Sequence, residues 1–192
     1  MFRKMMNPLK LQPEDLYCYG KLHLSRDFIC SSNLSHSDMI YWENWFGKCA
    51  NANKLIPFAG KINDALKPWL FYVSQWDITY VGLAAQSKDT VGRRYPFIIF
   101  GKWPSKDLNH QLLSEQFSQL INPFLNCVTA GKIEVLFQTI TPGSINPTYF
   151  DSVSSLKAQN EPFHLWVTVD KKQIFEHYGD ASCSLYNKIF GA

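Results

Sequence analysis

The chain has 192 residues, of which 46% are hydrophobic, 15% aromatic and 18% charged, with a formal net charge of +3. This length fits one domain, and the apolar content is enough to build a core, which excludes a largely disordered chain. The charge is mild and is not concentrated in one run. It argues against nucleic acid as the main partner, because phosphate binding usually requires a basic stripe.

The cysteines and the absence of export signals predict the compartment. The five cysteines are far apart, and none has zinc-ligand spacing: Cys18, Cys30, Cys49, Cys127 and Cys183. No apolar stretch follows the basic residues near the start, and no run approaches the ~18 apolar residues of a membrane span. Free thiols without an export signal predict a reducing, cytoplasmic location, with no membrane insertion, metal or cofactor. The oligomeric state stays open.

The first part of the chain predicts two strands and a helix. Residues 1–15 form a loose lead-in, 16–24 a first strand and 28–30 a short second strand. Residues 35–54 change to helical spacing, and Ser35 followed by Asp38 resembles a capping box. Trp42 and Trp45 lie on the apolar face of this helix, where core packing is favoured over an exposed docking face. A shorter helix is predicted at 61–67.

Strands dominate the middle of the chain. Residues 69–75 and 78–87 predict a hairpin, and 95–103 predicts a buried strand after a loop. An apolar stripe from 105 to 128 predicts a helix that Pro123 kinks or ends.

The last part is less regular. Residues 132–140 fit either type of element, and 141–150 predict a loop. Residues 163–170 predict a strand, and 171–178 predict a final helix stopped by Gly179. The sum is an α+β fold, a mostly antiparallel sheet flanked by helices, whose strand order stays open. We divide it into the lead-in 1–15, a core 16–104 and a C-terminal extension 105–192 packed on the same domain.

The sequence lacks the usual catalytic motifs, including nucleophile elbows, phosphate-binding loops and zinc-protease signatures. A Cys-His pair such as Cys18 with His164 is open, since such residues meet only in the folded chain. The favoured interpretation of Cys18 is a small buried hydrophobe within a strand.

The segment SKDTVGRRYPF, residues 87–97, contains two adjacent arginines. Gly92 supplies a turn and Pro96 favours an extended residue before it, so a turn into a strand accounts for both. Asp89 could hold Arg93 as an ion pair, and an outside contact stays equally open for this arginine. Arg94 has no obvious local partner and is the better candidate for an outside contact.

Several stretches together resemble the TagF (ImpM) proteins of bacterial type VI secretion systems. They are Tyr19-Gly20-Lys21-Leu22, Asp27-Phe28, Trp42-Glu43-Asn44-Trp45-Phe46 and Ser87-x-Asp89-x-Val91-Gly92-Arg93-x-Tyr95-Pro96-Phe97. Their order and spacing agree with the family over about residues 17–103. The last stretch is the most specific. The family's proline, arginine and glycine before its Asp-Phe pair are replaced here by His23, Ser25 and Arg26.

The resemblance implies a cytoplasmic accessory factor, not an enzyme, that holds the secretion apparatus inactive after translation. The implied partner is the forkhead-associated (Fha) scaffold protein of the same system. We expect docking through the loops at 20–27 and 89–96, with exposed aromatics such as Tyr95 adding buried area. The candidate contact residues are Lys21, Arg26, Asp27, Arg93, Arg94 and Tyr95. The candidate structural residues are Gly20, Asp89, Gly92, Pro96, Trp42 and Trp45.

Two other functions compete with this hypothesis. In the first, Arg93, Arg94 and Lys21 converge on a small molecule or phosphate, so that the domain is a sensor. In the second, a cysteine and a histidine meet in an open cleft and form a hydrolase. The protein-binding regulator ranks first and the hydrolase last.

Overall fold

The computed structural model of the protein describes residues 16–52, 67–88, 90, 94–105, 116–138, 161–170 and 172–191. Its strands are β1 Tyr17–Gly20, β2 Ile29–Cys30, β3 Trp69–Gln75, β4 Ile78–Lys88, β5 Arg94–Pro104, β6 Phe163–Thr168 and β7 Ile174–Tyr178. Its helices are α1 His36–Ala52, α2 Ile121–Ala130, α3 Glu134–Gln138 and α4 Cys183–Phe190. None of these helices is long and apolar enough to cross a membrane.

The described strands form one sheet in the order β2-β1-β5-β4-β3-β6-β7, and all neighbouring pairs are antiparallel. The α+β class and the mostly antiparallel sheet are therefore confirmed. The predicted hairpin is also present, because β3 and β4 are joined by the two-residue turn of Trp76 and Asp77. Strands β6 and β7 extend the sheet beyond β3.

Helices α1 and α4 pack on one face of the sheet. Helix α1 buries Trp42, Trp45 and Phe46, which confirms that its apolar stripe is a core face. Ser35 precedes the helix, and its hydroxyl accepts a hydrogen bond from the Asp38 amide at 3.2 Å. This is one half of the expected capping box.

Among the described residues, the opposite face of the sheet is covered by the segment 116–136. Phe117, Leu120 and the buried side of α2 pack there against apolar side chains of the central strands. The long helix expected over 105–128 is interrupted by a turn at Leu120. The break lies three residues before Pro123, which has no N–H to donate to the carbonyl of Gln119 and whose ring clashes with that carbonyl, as expected for a proline that ends a helix. Pro123 itself lies in the first turn of α2, where a missing N–H has no helical partner.

The prediction of a helix over 171–178 is wrong, because this segment contains β7. Pairing with β6, in which Phe175 lies opposite Trp166, decides its structure. Phe175 also stacks on Trp69 of β3, with ring centroids 5.5 Å apart. Gly179, with φ +92°, ends the strand. Helix α4 then follows, capped by the Ser182 hydroxyl, which accepts from the Leu185 amide at 3.2 Å.

The expectation that all five cysteines are free thiols is also wrong. Cys49 of α1 and Cys183 of α4 form a disulfide across 134 residues of sequence. Cys18, Cys30 and Cys127 are free. Two of the five cysteines therefore do not support a reducing compartment, since structural disulfides are rare in the cytosol.

Acid is expected to destabilise the fold through His164. This side chain is fully buried between Trp45 and His177, and neither ring nitrogen has a hydrogen-bond partner in the described part of the chain. Burial, with a smaller contribution from His177, lowers its pKa to about 3. The unfolded chain binds the proton at about pH 6.5, so the free energy of unfolding falls by about 1.4 kcal/mol per pH unit below that value.

Urea unfolding at pH 7.5 and pH 5 measures this loss, which amounts to about 2 kcal/mol at the lower pH. His164→Phe fills the same apolar site without a titrating group, so the decrease is expected to shrink by that amount in the variant. An equal decrease in both proteins would contradict the assignment to His164.

Candidate functional site

The loop after β1 lies beside the end of β4 and the start of β5. Strand β1 ends at Gly20, four residues earlier than expected, and Gly20 has a φ of +125° that only glycine adopts readily. The Lys21 amide then donates to the Pro96 carbonyl at 3.3 Å, and the Leu24 amide donates to the Lys88 carbonyl at 2.8 Å. The Ser87 hydroxyl donates to the Lys21 carbonyl. We call residues 21–28, 87, 88, 94 and 95 the paired-loop surface.

The first loop is fastened to itself. The Ser25 amide donates to the Leu22 carbonyl at 3.1 Å, and the Ser25 hydroxyl donates to the Asp27 carbonyl at 3.0 Å. Lys21 is half-buried, and its ammonium donates to the Arg26 carbonyl at 3.4 Å. Arg26 and Asp27 are exposed, so these two candidates are accessible to a partner.

Arg94 differs from its expected position. It is half-buried, and its guanidinium donates to the Gln86 side-chain oxygen at 3.3 Å. Burial lowers its pKa, and the nearby Tyr186 of α4 opposes that shift. Gln86 in turn donates to the Phe190 carbonyl of α4 at 2.8 Å. The expectation that Arg94 lacks a local partner is therefore wrong. Through Gln86 of β4, its side chain is connected to the end of α4.

Three candidates from the arginine segment cannot be placed. Asp89, Gly92 and Arg93 lie outside the described residues, so the ion pair between Asp89 and Arg93 stays a prediction. Pro96 is buried at the start of β5, where its carbonyl receives the Lys21 amide.

Tyr95 packs inward to a larger extent than expected. It is half-buried, and its hydroxyl is hydrogen-bonded to that of Tyr19. Burial raises the pKa of both hydroxyls, that of Tyr19 to about 12. Its ring packs edge-on against two phenylalanine rings, with centroids 6.3 Å from that of Phe46 in α1 and 4.9 Å from that of Phe28. Tyr95 therefore belongs to the paired-loop surface but packs its ring between Phe28 and Phe46.

Leu24 and Phe28 are the exposed apolar side chains of the first loop, and neither is among the sequence candidates. Phe28 is 42% exposed and packs edge-on against Tyr19 and Tyr95. Leu24 is 61% exposed and has a φ of +56°, which costs a non-glycine residue about 1 kcal/mol or more. The fold thus holds an apolar side chain in water on a strained backbone.

Trp42 and Trp45 are structural, as expected. Trp42 is fully buried, and the Trp45 indole N–H donates to the Ser182 carbonyl at 3.0 Å, which connects α1 to the start of α4.

The structure does not bring the Cys-His pair together. Cys18 lies on β1 and contacts the Ser31 hydroxyl at 3.3 Å, whereas His164 lies four strands away on β6, on the order of 19 Å across the sheet. Burial raises the pKa of the Cys18 thiol, which disfavours the thiolate that a nucleophile requires. No group of three or more potential metal ligands occurs in the part of the chain that is described.

Known proteins resemble this chain in sequence and in fold. The family model for the TagF N-terminal domain, which is type VI secretion system-associated, matches residues 17–135, more than half of the chain. The crystal structure of PA0076 from Pseudomonas aeruginosa PAO1 is similar in fold, with a TM-score of 0.55 at 15% sequence identity. That similarity covers 92% of this chain and 94% of PA0076. No curated protein matches the sequence.

Proposed function

The chain belongs to the TagF family of type VI secretion-associated proteins, and we propose that it is a non-enzymatic accessory factor that restrains secretion after translation. In this proposal it acts in the cytoplasm by binding an Fha-type scaffold protein of the same secretion system. The family match supports the link to type VI secretion. The regulatory role and the partner follow from the family resemblance and have to be tested.

The observation that carries the proposal is the rigid, apolar presentation of Leu24. Its strained backbone is held by two amide hydrogen bonds, its own to Lys88 and that of Ser25 to Leu22. A partner that buries this side chain gains apolar area without ordering the loop, which reduces the entropic cost of association. Arg26 and Asp27 lie beside it in water and provide polar specificity at the rim.

The described cations do not support the alternative function, an anion sensor. Lys21 and Arg94 each donate to a neighbouring group of the chain, and Arg94 is directed toward Gln86 and α4. A convergent anion site requires those cations to be directed at a shared ligand.

Leu24→Gly is expected to weaken binding to the scaffold protein about tenfold or more without loss of stability. Glycine adopts a φ of +56° freely, so the substitution relieves strain while it removes the exposed side chain. Calorimetric titration against the Fha-type protein of the same gene cluster, in both phosphorylation states, measures the affinity. Thermal unfolding confirms that the variant is folded.

Trp76→Gly is the matched control. Trp76 also has a positive φ, of +52°, and is 66% exposed, but it lies at the opposite end of β4. Its replacement is expected to leave the affinity unchanged. Equal weakening in both variants, or none in Leu24→Gly, would remove the paired-loop surface from the proposal, and no binding by the native protein would overturn the choice of partner.

A further inference from the structure

The disulfide connects two parts of the chain that the family match separates. Cys49 lies within the matched residues 17–135, whereas Cys183 lies beyond them. The pairing is selective, because three other cysteines stay free, among them the exposed Cys30.

The two sulfurs differ in reactivity. Cys183 is the first residue of α4, directly after the capping Ser182, and a thiolate there is stabilised by the helix N-terminus. Cys183 is half-buried, whereas Cys49 is only 2% exposed. A thiol in solution therefore reaches the sulfur of Cys183 more easily than that of Cys49, so that access makes Cys49 the leaving group on reduction. The stabilised Cys183 thiolate acts in the opposite direction, as the nucleophile that attacks a small-molecule disulfide on oxidation.

Helix α4 is hydrogen-bonded to the paired-loop surface through Gln86. Its last carbonyl, that of Phe190, receives the Gln86 side chain at 2.8 Å, and Gln86 in turn receives the guanidinium of Arg94. The opposite end of α4 is fixed by the disulfide and by Trp45. Releasing the disulfide removes the covalent connection at one end of a helix whose other end is bonded beside the surface.

We propose that Cys49 and Cys183 form a redox-responsive clamp that fixes α4 on α1 and thereby rigidifies the paired-loop surface. The inference rests on the cytoplasmic location in the proposed function, where small thiols keep most cysteines reduced. On oxidation, a small-molecule disulfide accepts the two electrons of the pair: the protein disulfide forms, and two small thiols leave with both protons. Reduction by two small thiols reverses these steps through a mixed disulfide at Cys183.

Thiol trapping in cells tests whether the clamp responds. Cells expressing the full chain are quenched in acid and alkylated with a mass-adding maleimide, with and without the thiol oxidant diamide. We expect two cysteines to become protected on oxidation in the native protein and in Cys30→Ser, and none to do so in Cys49→Ser. A pair that stays in one state under both conditions would overturn the proposal.

Purified protein tests the connection to the surface. Reduction is expected to lower the Tm of the native protein and of Cys30→Ser by on the order of 10 °C, and to leave that of Cys49→Ser unchanged. Amide exchange is expected to rise in α4 and at residues 86–88. An unchanged Tm, or faster exchange confined to α4, would contradict the clamp. Neither experiment requires the scaffold protein, so failure of the proposed function is seen separately.

Discussion

Gly20→Ala is expected to lower the free energy of unfolding by about 3 kcal/mol or more, a large part of the ~5–15 kcal/mol that stabilises a typical protein. A Cβ on residue 20 would lie 2.0 Å from the Pro96 carbonyl oxygen and 2.9 Å from the Phe97 Cα. Both are backbone atoms of the paired strand, which cannot move without breaking the β1–β5 ladder. The φ of +125° adds strain for any residue with a side chain. Urea denaturation measures the change.

Gly47→Ala is the control for this substitution. Gly47 lies inside α1, and no atom lies within 4 Å of an added Cβ. Alanine there is expected to raise the free energy of unfolding by about 0.5–1 kcal/mol through helix propensity. Similar changes in the free energy of unfolding for the two substitutions would show that the close approach at Gly20 does not account for the loss of stability.

Lys102→Met is expected to destabilise the protein by about 2–3 kcal/mol at pH 7, because it leaves the buried carboxylate of Asp38 without its cation. The ammonium of Lys102 lies 2.6 Å from Asp38, whose side chain is only 3% exposed. Burial alone would raise the pKa of Asp38. The hydrogen bonds from Lys102 and from the hydroxyls of Ser35 and Tyr80 outweigh burial, so the pKa lies below its usual range.

The pH dependence separates this ion pair from simple packing. Because the folded pKa of Asp38 is lowered, its stabilising contribution is present above the unfolded pKa of about 3.9 and is lost as the pH falls below it. The deficit of Lys102→Met is therefore expected to shrink as the pH approaches 4, where the unpaired carboxyl takes up a proton. Urea denaturation from pH 7 to pH 4 follows it.

Lys172→Met serves as the comparison. The Lys172–Asp170 pair has a 3.6 Å separation, and its side chains are 81% and 40% exposed, so solvent screens it. Its loss is expected to leave the denaturation midpoint nearly unchanged. A deficit of Lys102→Met that persists unchanged at pH 4 would assign the loss to packing of the lysine stem instead of the charge.

Local pattern predicts most of the fold where an element is long or sharply bounded. Helix α1 shows both a cap at Ser35 and an apolar stripe over several turns, and the β3–β4 hairpin has two apolar runs around a two-residue turn. Helix α4 and strand β7 are short, and five to eight residues fit either period. Pairing with β6 and packing against α1 decide their structure, and neither contact is visible in a local window.

The candidate site is predictable only in outline. The loop after β1 lies beside the ends of β4 and β5 because β1 pairs with β5, and the motif residues Gly20 and Pro96 mark that contact. The partner of Arg94 is Gln86, which lies near it across the β4–β5 ladder, so the sequence alone does not reveal it. Leu24 carries no signal, because leucine disfavours the left-handed backbone that it adopts here.

The disulfide is the feature that the sequence predicts least well. Five cysteines allow many pairings, and a separation of 134 residues leaves no local trace of the one that forms. Only the packing of α4 on α1 brings the two sulfurs together.

Amide hydrogen exchange of the whole chain, with and without a saturating Fha-type scaffold protein, tests the central claim most directly. Docking through the paired-loop surface predicts that added protection is concentrated in residues 21–28 and 86–95, with none at the β3–β4 turn. Protection confined to another face, or no change in exchange at saturating partner, would contradict a TagF-family regulator that docks through the paired-loop surface.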